Sequence, residues 1–244
     1  MSVRFDILTL FPEMIEGMLN QSILKRAIEK KIIEVNIINF RDFSTNKHST
    51  VDDYAYGGGA GMLISVEPIH LAMKTIPNID KAYKILTSPS GNVYNQNKAE
   101  KLSKLDHIVI VCGHYEGIDN RILDYIDEEI SIGDYVLTGG EIPACAIIDS
   151  IARLVPGVLH NDDSAGDESF ENGLLEYPQY TRPYEYDGKK VPDVLVSGHH
   201  ANIKKWQRYQ SLKKTYEVRP ELLGNIALTN EDIKMLEEIK NEKN

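Results

Sequence analysis

Over the first two-thirds of the 244-residue chain, short apolar runs alternate with segments of helical period. That alternation leaves few folds open. Residues 5–10, 32–38, 84–87, 108–112 and 130–136 read as buried strands, and 12–29, 66–75, 96–104, 119–126 and 143–154 as helices. In the first helix Pro12 stands at the start, and Met14, Met18, Ile23, Leu24 and Ile28 form the apolar stripe. Strands separated by helix-length segments predict an α/β layer structure with a largely parallel sheet, because a parallel neighbour is reached only through a crossover connection.

Residues 157–192 break the pattern, being rich in Gly, Pro, Asp, Asn and Tyr with no surviving period. A stretch of this length inside a compact chain reads as a functional loop or linker, and it places the domain boundary here. Helical pattern returns over 201–213 and, after the capping-like Thr229-Asn230-Glu231-Asp232, over 233–239.

Hydrophobic residues make up 42% of the chain and charged ones 26%, which suits a globular core and excludes a disordered protein. The net charge of −10 excludes a general polyanion coat. Its distribution is uneven: residues 1–123 carry 14 basic and 14 acidic side chains, 124–193 carry 4 and 16, and 194–244 carry 9 and 7. Within 199–220, Lys204, Lys205, Arg208, Lys213, Lys214 and Arg219 face a single acid, Glu217, with Trp206, Tyr209 and Tyr216 interleaved. Trp206 reads first as a core residue of a solvated amphipathic helix. The two cysteines, Cys112 and Cys145, are too few for a disulfide framework and read as thiols of a reducing compartment. Charges in the first six residues, and the lack of any apolar run near the ~18–20 residues a membrane helix needs, predict a soluble, cytoplasmic chain with no membrane partner.

Three Gly- or Pro-containing loops follow predicted strands. They are Ser88-Pro89-Ser90-Gly91, Cys112-Gly113-His114-Tyr115-Glu116-Gly117, and the run from Ser131 through Gly133, Gly139 and Gly140 to Pro143. Open α/β sheets bind ligands at the carboxyl ends of their strands, so three such loops point to one shared pocket. Any one alone would pass for an ordinary loop. Tyr56-Gly57-Gly58-Gly59-Ala60-Gly61 lacks both the Gly-Lys-Ser/Thr ending of a P-loop and the dinucleotide fingerprint, and reads as a loop that a substrate approaches closely, with a plain flexible loop as the alternative. The seven histidines show no metal-ligand spacing, so no protein metal site is expected. By pattern alone Arg153 is a basic residue at a helix C-terminus, and Asp162, Asp163, Asp167 and Glu168 are a solvated acidic run.

Six ordered motifs carry a resemblance that spans nearly the whole chain. They are Leu10-Phe11-Pro12-Glu13-Met14; Thr50-Val51-Asp52-Asp53 with Tyr56 to Met62; Gly113-His114-Tyr115-Glu116-Gly117-Ile118-Asp119; Ser131 to Leu137 with Gly139-Gly140-Glu141; Pro156-Gly157-Val158-Leu159; and Tyr177-Pro178-Gln179-Tyr180-Thr181-Arg182-Pro183. The chain resembles the bacterial tRNA (guanine-N1)-methyltransferases of the SPOUT class. The resemblance implies a parallel-sheet α/β methyltransferase domain with a deep trefoil knot over 1–160, a catalytic linker over 161–172, and a small helical tRNA-binding domain over 173–244. It also implies a homodimer that uses S-adenosylmethionine, with a possible Mg²⁺ requirement for which no protein ligand set is visible.

By the same resemblance the donor pocket comprises Leu86, Ser88 and Pro89; Gly113, Tyr115 and Glu116; and Ile132, Gly133, Asp134, Tyr135, Val136, Leu137, Gly139 and Gly140. The implied substrate is guanosine 37 beside the tRNA anticodon, with Lys204, Lys205, Lys213 and Lys214 as the implied phosphate contacts. A linker carboxylate takes the N1 proton, and Arg153 stabilises charge on O6. Family members carry an aspartate directly before Ser-Phe. Here Glu168 precedes Ser169-Phe170 and Asp167 stands one place earlier. Glutamate has similar basicity and one more carbon of reach, so Glu168 is preferred as the base, with Asp167 the alternative.

Overall fold

The structure is a computed structural model that describes residues 2–159, 168–170 and 172–242. The chain divides into two compact units, Met1–His160 and Asn161–Asn244.

The first unit is built on five parallel strands, β1 (Val3–Thr9), β2 (Ile33–Asn39), β5 (Tyr83–Val93), β6 (His107–Cys112) and β7 (Glu128–Ser131), in the order β2-β1-β6-β5-β7. The predicted parallel α/β sheet is therefore present. A parallel sheet is covered on both faces, so its central strands are apolar throughout, and the two-residue period assigns each side chain to a layer. Phe5, Ile7, Ile108, Ile110 and Ile85 enter one core, with α1 (Pro12–Leu19), α2 (Ser22–Glu29), α4 (Gln96–Leu102) and α5 (Glu141–Ala152). Their neighbours Leu8, Val109, Val111 and Leu86 enter the other, with α3 (Val66–Lys74) and the 3-10 turn Asn120–Tyr125. A short hairpin, β3 (Asp52–Asp53) with β4 (Leu63–Ile64), carries the glycine-rich loop.

Four local expectations change. The helix expected over 12–29 is two helices, because the backbone becomes extended at Gln21 (φ −124°, ψ 151°) within the polar Asn20-Gln21-Ser22. Asn and Ser compete for backbone hydrogen bonds and hold a helix poorly. The helix expected over 119–126 is a 3-10 turn, opened by the Asp119 carboxylate accepting from Arg121 N at 3.0 Å. The strand expected over 130–136 ends at Ser131. There the Ser131 hydroxyl donates to Gly133 O at 3.0 Å and accepts from Gly133 N at 3.2 Å, curling the chain out of the sheet. The strand expected over 84–87 extends to Val93 across an irregularity between Thr87 and Asn92. Gly91 makes this possible, since a Cβ there would lie 2.5 Å from the Glu129 carbonyl carbon and the Ile130 nitrogen.

The second unit has a small hairpin, β8 (Glu185–Tyr186) with β9 (Lys189–Lys190), then α6 (Asp193–Val196), α7 (His200–Val218) and α8 (Asn230–Glu242). Hairpin and α6 lie inside or at the edge of the stretch that shows no period in the sequence. Leu174, Leu212, Met235, Leu236 and Ile239 form its core. Trp206 is not in that core; it is half-buried, its ring 6.4 Å from Tyr180. The capping signal is realised: Asp232 N donates to Thr229 Oγ1 at 3.1 Å, and Thr229 N donates to Asp232 Oδ2 at 2.9 Å. Arg208 from α7 closes on the same carboxylate, with Nε 2.7 Å from Oδ1.

The Arg208 guanidinium holds the buried Asp232 carboxyl down at about 2, against an ordinary value of 3.8. A depressed carboxylate stabilises the fold above its unfolded pKa and loses that contribution as pH falls through the folded one. Asp232 should thus contribute about 2 kcal/mol at neutral pH, lost between about pH 4 and pH 2. Trp206, the single tryptophan, reports this unit. Its fluorescence in an acid titration of the full chain should show a transition in that window, and Asp232→Ala should remove the pH dependence while lowering stability at pH 7. An unchanged acid transition in Asp232→Ala would contradict the assignment.

Candidate active site

The irregular segment of β5 after Thr87 and the loops after β6 and β7 enclose a cavity of about 420 Å³, within the ~300–1,000 Å³ of small-molecule sites. From the middle of β5, at its irregularity, come Leu86, Ser88 and Pro89; from the loop after β6, Gly113, Tyr115 and Glu116; from the loop after β7, Ile132, Gly133, Tyr135, Val136, Leu137, Gly139 and Gly140. Thirteen of the fourteen expected pocket residues therefore line one space. Asp134 does not. Tyr135 N donates to Gly133 O at 2.9 Å, which puts Asp134 at the exposed tip of a three-residue turn, where its carboxylate stays hydrated.

The loops are joined by main-chain contacts. Gly140 N donates to Gly113 O at 2.8 Å, and His114 forms a β-bridge with Gly139. On the other side Glu116 N donates to Met62 O at 3.2 Å and Ile64 N to Gly117 O at 2.9 Å, so the β3–β4 hairpin docks on the loop after β6. Gly61 touches this arrangement directly, since a Cβ there would strike the Glu116 side chain. Tyr115 is held at φ +57°, a conformation a tyrosine adopts only when its surroundings impose it. Gly140 is the tightest point: a Cβ would collide with Thr87 Oγ1 and lie 2.9 Å from both Cys112 Cα and Gly113 N.

Several further residues, not anticipated as site residues from the sequence, belong here. Thr87, His114, Ser131 and Thr138 also line the cavity. Glu141, beneath it, is 1% exposed and accepts a 2.8 Å hydrogen bond from Thr9 Oγ1. Its only sequence signal is its place after Gly139-Gly140 at the start of a helix, where a carboxylate is favoured. Burial, then the nearby Glu141 charge, pushes the Cys112 thiol well up, and the same causes raise Cys145 to about 11. Both thiols stay protonated at neutral pH and serve as packing. Among the described residues no group of three or more His, Cys, Asp or Glu is placed to hold a metal ion.

Arg153 is half-buried in the first unit as the residue that ends α5, its N–H donating to Asp149 O at 3.1 Å. Glu168 is half-buried in the second unit. Asp167 lies outside the described residues. The basic face of α7 is more neutralised than its sequence suggests. Lys213 pairs with Glu242 at 2.7 Å and Lys205 with Glu231 at 3.3 Å, while Lys214 donates to Glu176 O at 3.2 Å. Lys204 is exposed and makes no ion pair among the described residues.

Residues 3–225 match the family described as tRNA (Guanine-1)-methyltransferase TrmD. The chain belongs to this family. Membership gives it the family's activity, methylation of tRNA at guanine N1. Among similar proteins, the tRNA (guanine-N(1)-)-methyltransferase of Dictyoglomus turgidum is 54% identical over 240 residues, covering 98% of each chain. The enzyme of the same name from Staphylococcus haemolyticus is 54% identical over 239 residues, again 98% of each. One from Clostridium botulinum is 55% identical over 236 residues, 97% of this chain and 98% of that protein. No helix among the described residues is long and apolar enough to cross a membrane.

Proposed function

We propose that the protein transfers a methyl group from S-adenosylmethionine to N1 of guanosine 37 in tRNA, with the cavity between the irregular segment of β5 and the loops after β6 and β7 as the donor site. The observation that carries this is the Gly139-Gly140 turn, where absent side chains let main chain from two loops close on one small-molecule cavity. Leu86, Ile132, Val136 and Leu137 offer apolar wall to adenine and ribose, and main-chain groups of Gly113 and Gly139 offer polar contacts at the rim. When bound, adenosylmethionine supplies a sulfonium-activated methyl group whose sulfur leaves as a neutral thioether.

The chain's own residues manage the guanine. N1 of guanine carries a proton at neutral pH, so Glu168, or Asp167 beside it, accepts that proton as N1 takes the methyl group. Arg153 holds the negative charge that grows on O6 as the proton leaves. Glu116, exposed on the cavity rim, is available to the incoming base. Residues 1–160 act as donor domain, 161–172 as catalytic linker and 173–244 as tRNA-binding domain, with Lys204 the cation on α7 best able to meet phosphate. The family resemblance further supports a trefoil knot, a cytoplasmic homodimer and a Mg²⁺ requirement met without a dedicated protein ligand set.

Transfer of tritium from labelled adenosylmethionine to unmodified tRNA tests the reading. Label should enter tRNA with G at position 37 and fail to enter the same tRNA with A there; equal incorporation into both would overturn the assignment.

A further inference from the structure

Glu141 opens α5 directly after Gly140, and its two carboxylate oxygens have different surroundings. Oε1 accepts from Thr9 Oγ1 at 2.8 Å, and that hydroxyl accepts from Phe11 N at 2.9 Å. Oε2 faces His114 Nδ1 at 3.8 Å, inside charge-pair range and outside hydrogen-bond reach. Among the described residues these are the two buried side-chain polar atoms without a hydrogen-bond partner. Such atoms are rare in folded proteins and costly to leave unpaired. Gly139 sits between them, since a Cβ there would run into both. Among the described residues the imidazole otherwise makes ring contacts, 4.6 Å from Phe11 and 5.1 Å edge-on to Tyr115, and His114 lines the cavity.

We propose that Glu141 and His114 form a positioning pair for the methyl donor: as the cavity fills, His114 Nδ1–H closes the short remaining distance to Glu141 Oε2 and ties the loop after β6 to the loop after β7. The inference rests on the cavity being the adenosylmethionine site. Filling the cavity removes water from the imidazole, which strengthens the buried pair and makes its absence more costly. Glu141 is closed off from the cavity and acts through His114. The pair therefore contributes to holding the donor and leaves the chemical step alone, so its loss should appear in donor affinity and spare the single-turnover rate at saturating donor.

Calorimetric titration of the full chain with adenosylmethionine tests this. His114→Phe keeps a ring against Phe11 but has no donor for Glu141, and should raise Kd about tenfold. His114→Asn places an amide N–H where Nδ1 stood and should restore affinity to within about threefold of the parent. Neither should change the single-turnover rate at saturating donor by more than about twofold. Glu141→Gln keeps the Thr9 contact and loses the charge, and in its background His114→Phe should cost nothing further. Parent-like affinity in His114→Phe, failure of His114→Asn to restore it, or additive losses in the double variant would each overturn the pair. If Glu141→Gln does not fold, as judged by circular dichroism, the Phe and Asn variants decide the question alone. A parent chain that does not bind adenosylmethionine would instead refute the donor-site reading on which the pair depends.

Discussion

Glu168→Ala should slow single-turnover methyl transfer about 10²- to 10⁴-fold while leaving adenosylmethionine affinity intact. The expectation follows from the chemistry of guanine, whose N1 is a poor nucleophile until its proton has been taken. A carboxylate held at the base supplies that acceptor, and the nearest match to the family's pattern is the residue directly before Ser169-Phe170. Asp167→Ala, measured alongside, separates the two carboxylates: a near-normal rate is expected there, and an inactive Asp167→Ala beside a healthy Glu168→Ala would move the role. Arg153→Ala should cost about 10²- to 10³-fold through lost stabilisation of O6, again with donor affinity preserved. Parallel loss of donor binding in these variants would mean that the linker shapes the donor site and would refute the assigned roles.

Gly140→Ala should weaken donor binding more than any loss of a side chain. One added methyl group would meet Thr87 Oγ1 and two main-chain atoms, Cys112 Cα and Gly113 N, at 2.9 Å. Main chain at the end of β6 cannot swing aside as a flexible side chain can, so the turn that carries Gly140 must move away from β6. The Kd for adenosylmethionine should rise about a hundredfold, equivalent to roughly 3 kcal/mol. Gly17→Ala gives the contrast. Gly17 lies within α1, and a Cβ added there would meet nothing within 4 Å, so alanine should stabilise the chain by up to about 1 kcal/mol and leave binding unchanged. Equal effects of the two substitutions in calorimetry and thermal melting would show that glycine at 140 is not needed for clearance.

The sheet was legible in the sequence because a doubly covered parallel strand must be apolar at nearly every position, and 5–10 and 108–112 are written that way. The cavity was legible for a related reason: glycines and prolines in the irregular segment of β5 and after β6 and β7 mark where main chain turns around it. Where short-range hydrogen bonds decide the backbone, periodicity fails. The Ser131–Gly133 turn ends a strand that hydrophobicity alone would extend through Val136 and Leu137, and Asp119 converts an expected helix into a 3-10 turn. Glu141 was illegible for a different reason, because its partner Thr9 lies 132 residues away and their meeting depends on strand order. Lys205 and Lys213 misled in the same way, their acidic partners on α8 being invisible until α7 and α8 pack.

The proposed reaction places one methyl group, from adenosylmethionine, on N1 of a single guanine beside the tRNA anticodon. Incubating unmodified tRNA with the full chain and trideuteromethyl-labelled adenosylmethionine, then locating the label by mass spectrometry of nuclease fragments and nucleosides, tests it most directly. Labelled 1-methylguanosine confined to position 37 is the predicted result; label on a ribose, on another base or at another guanine would contradict it.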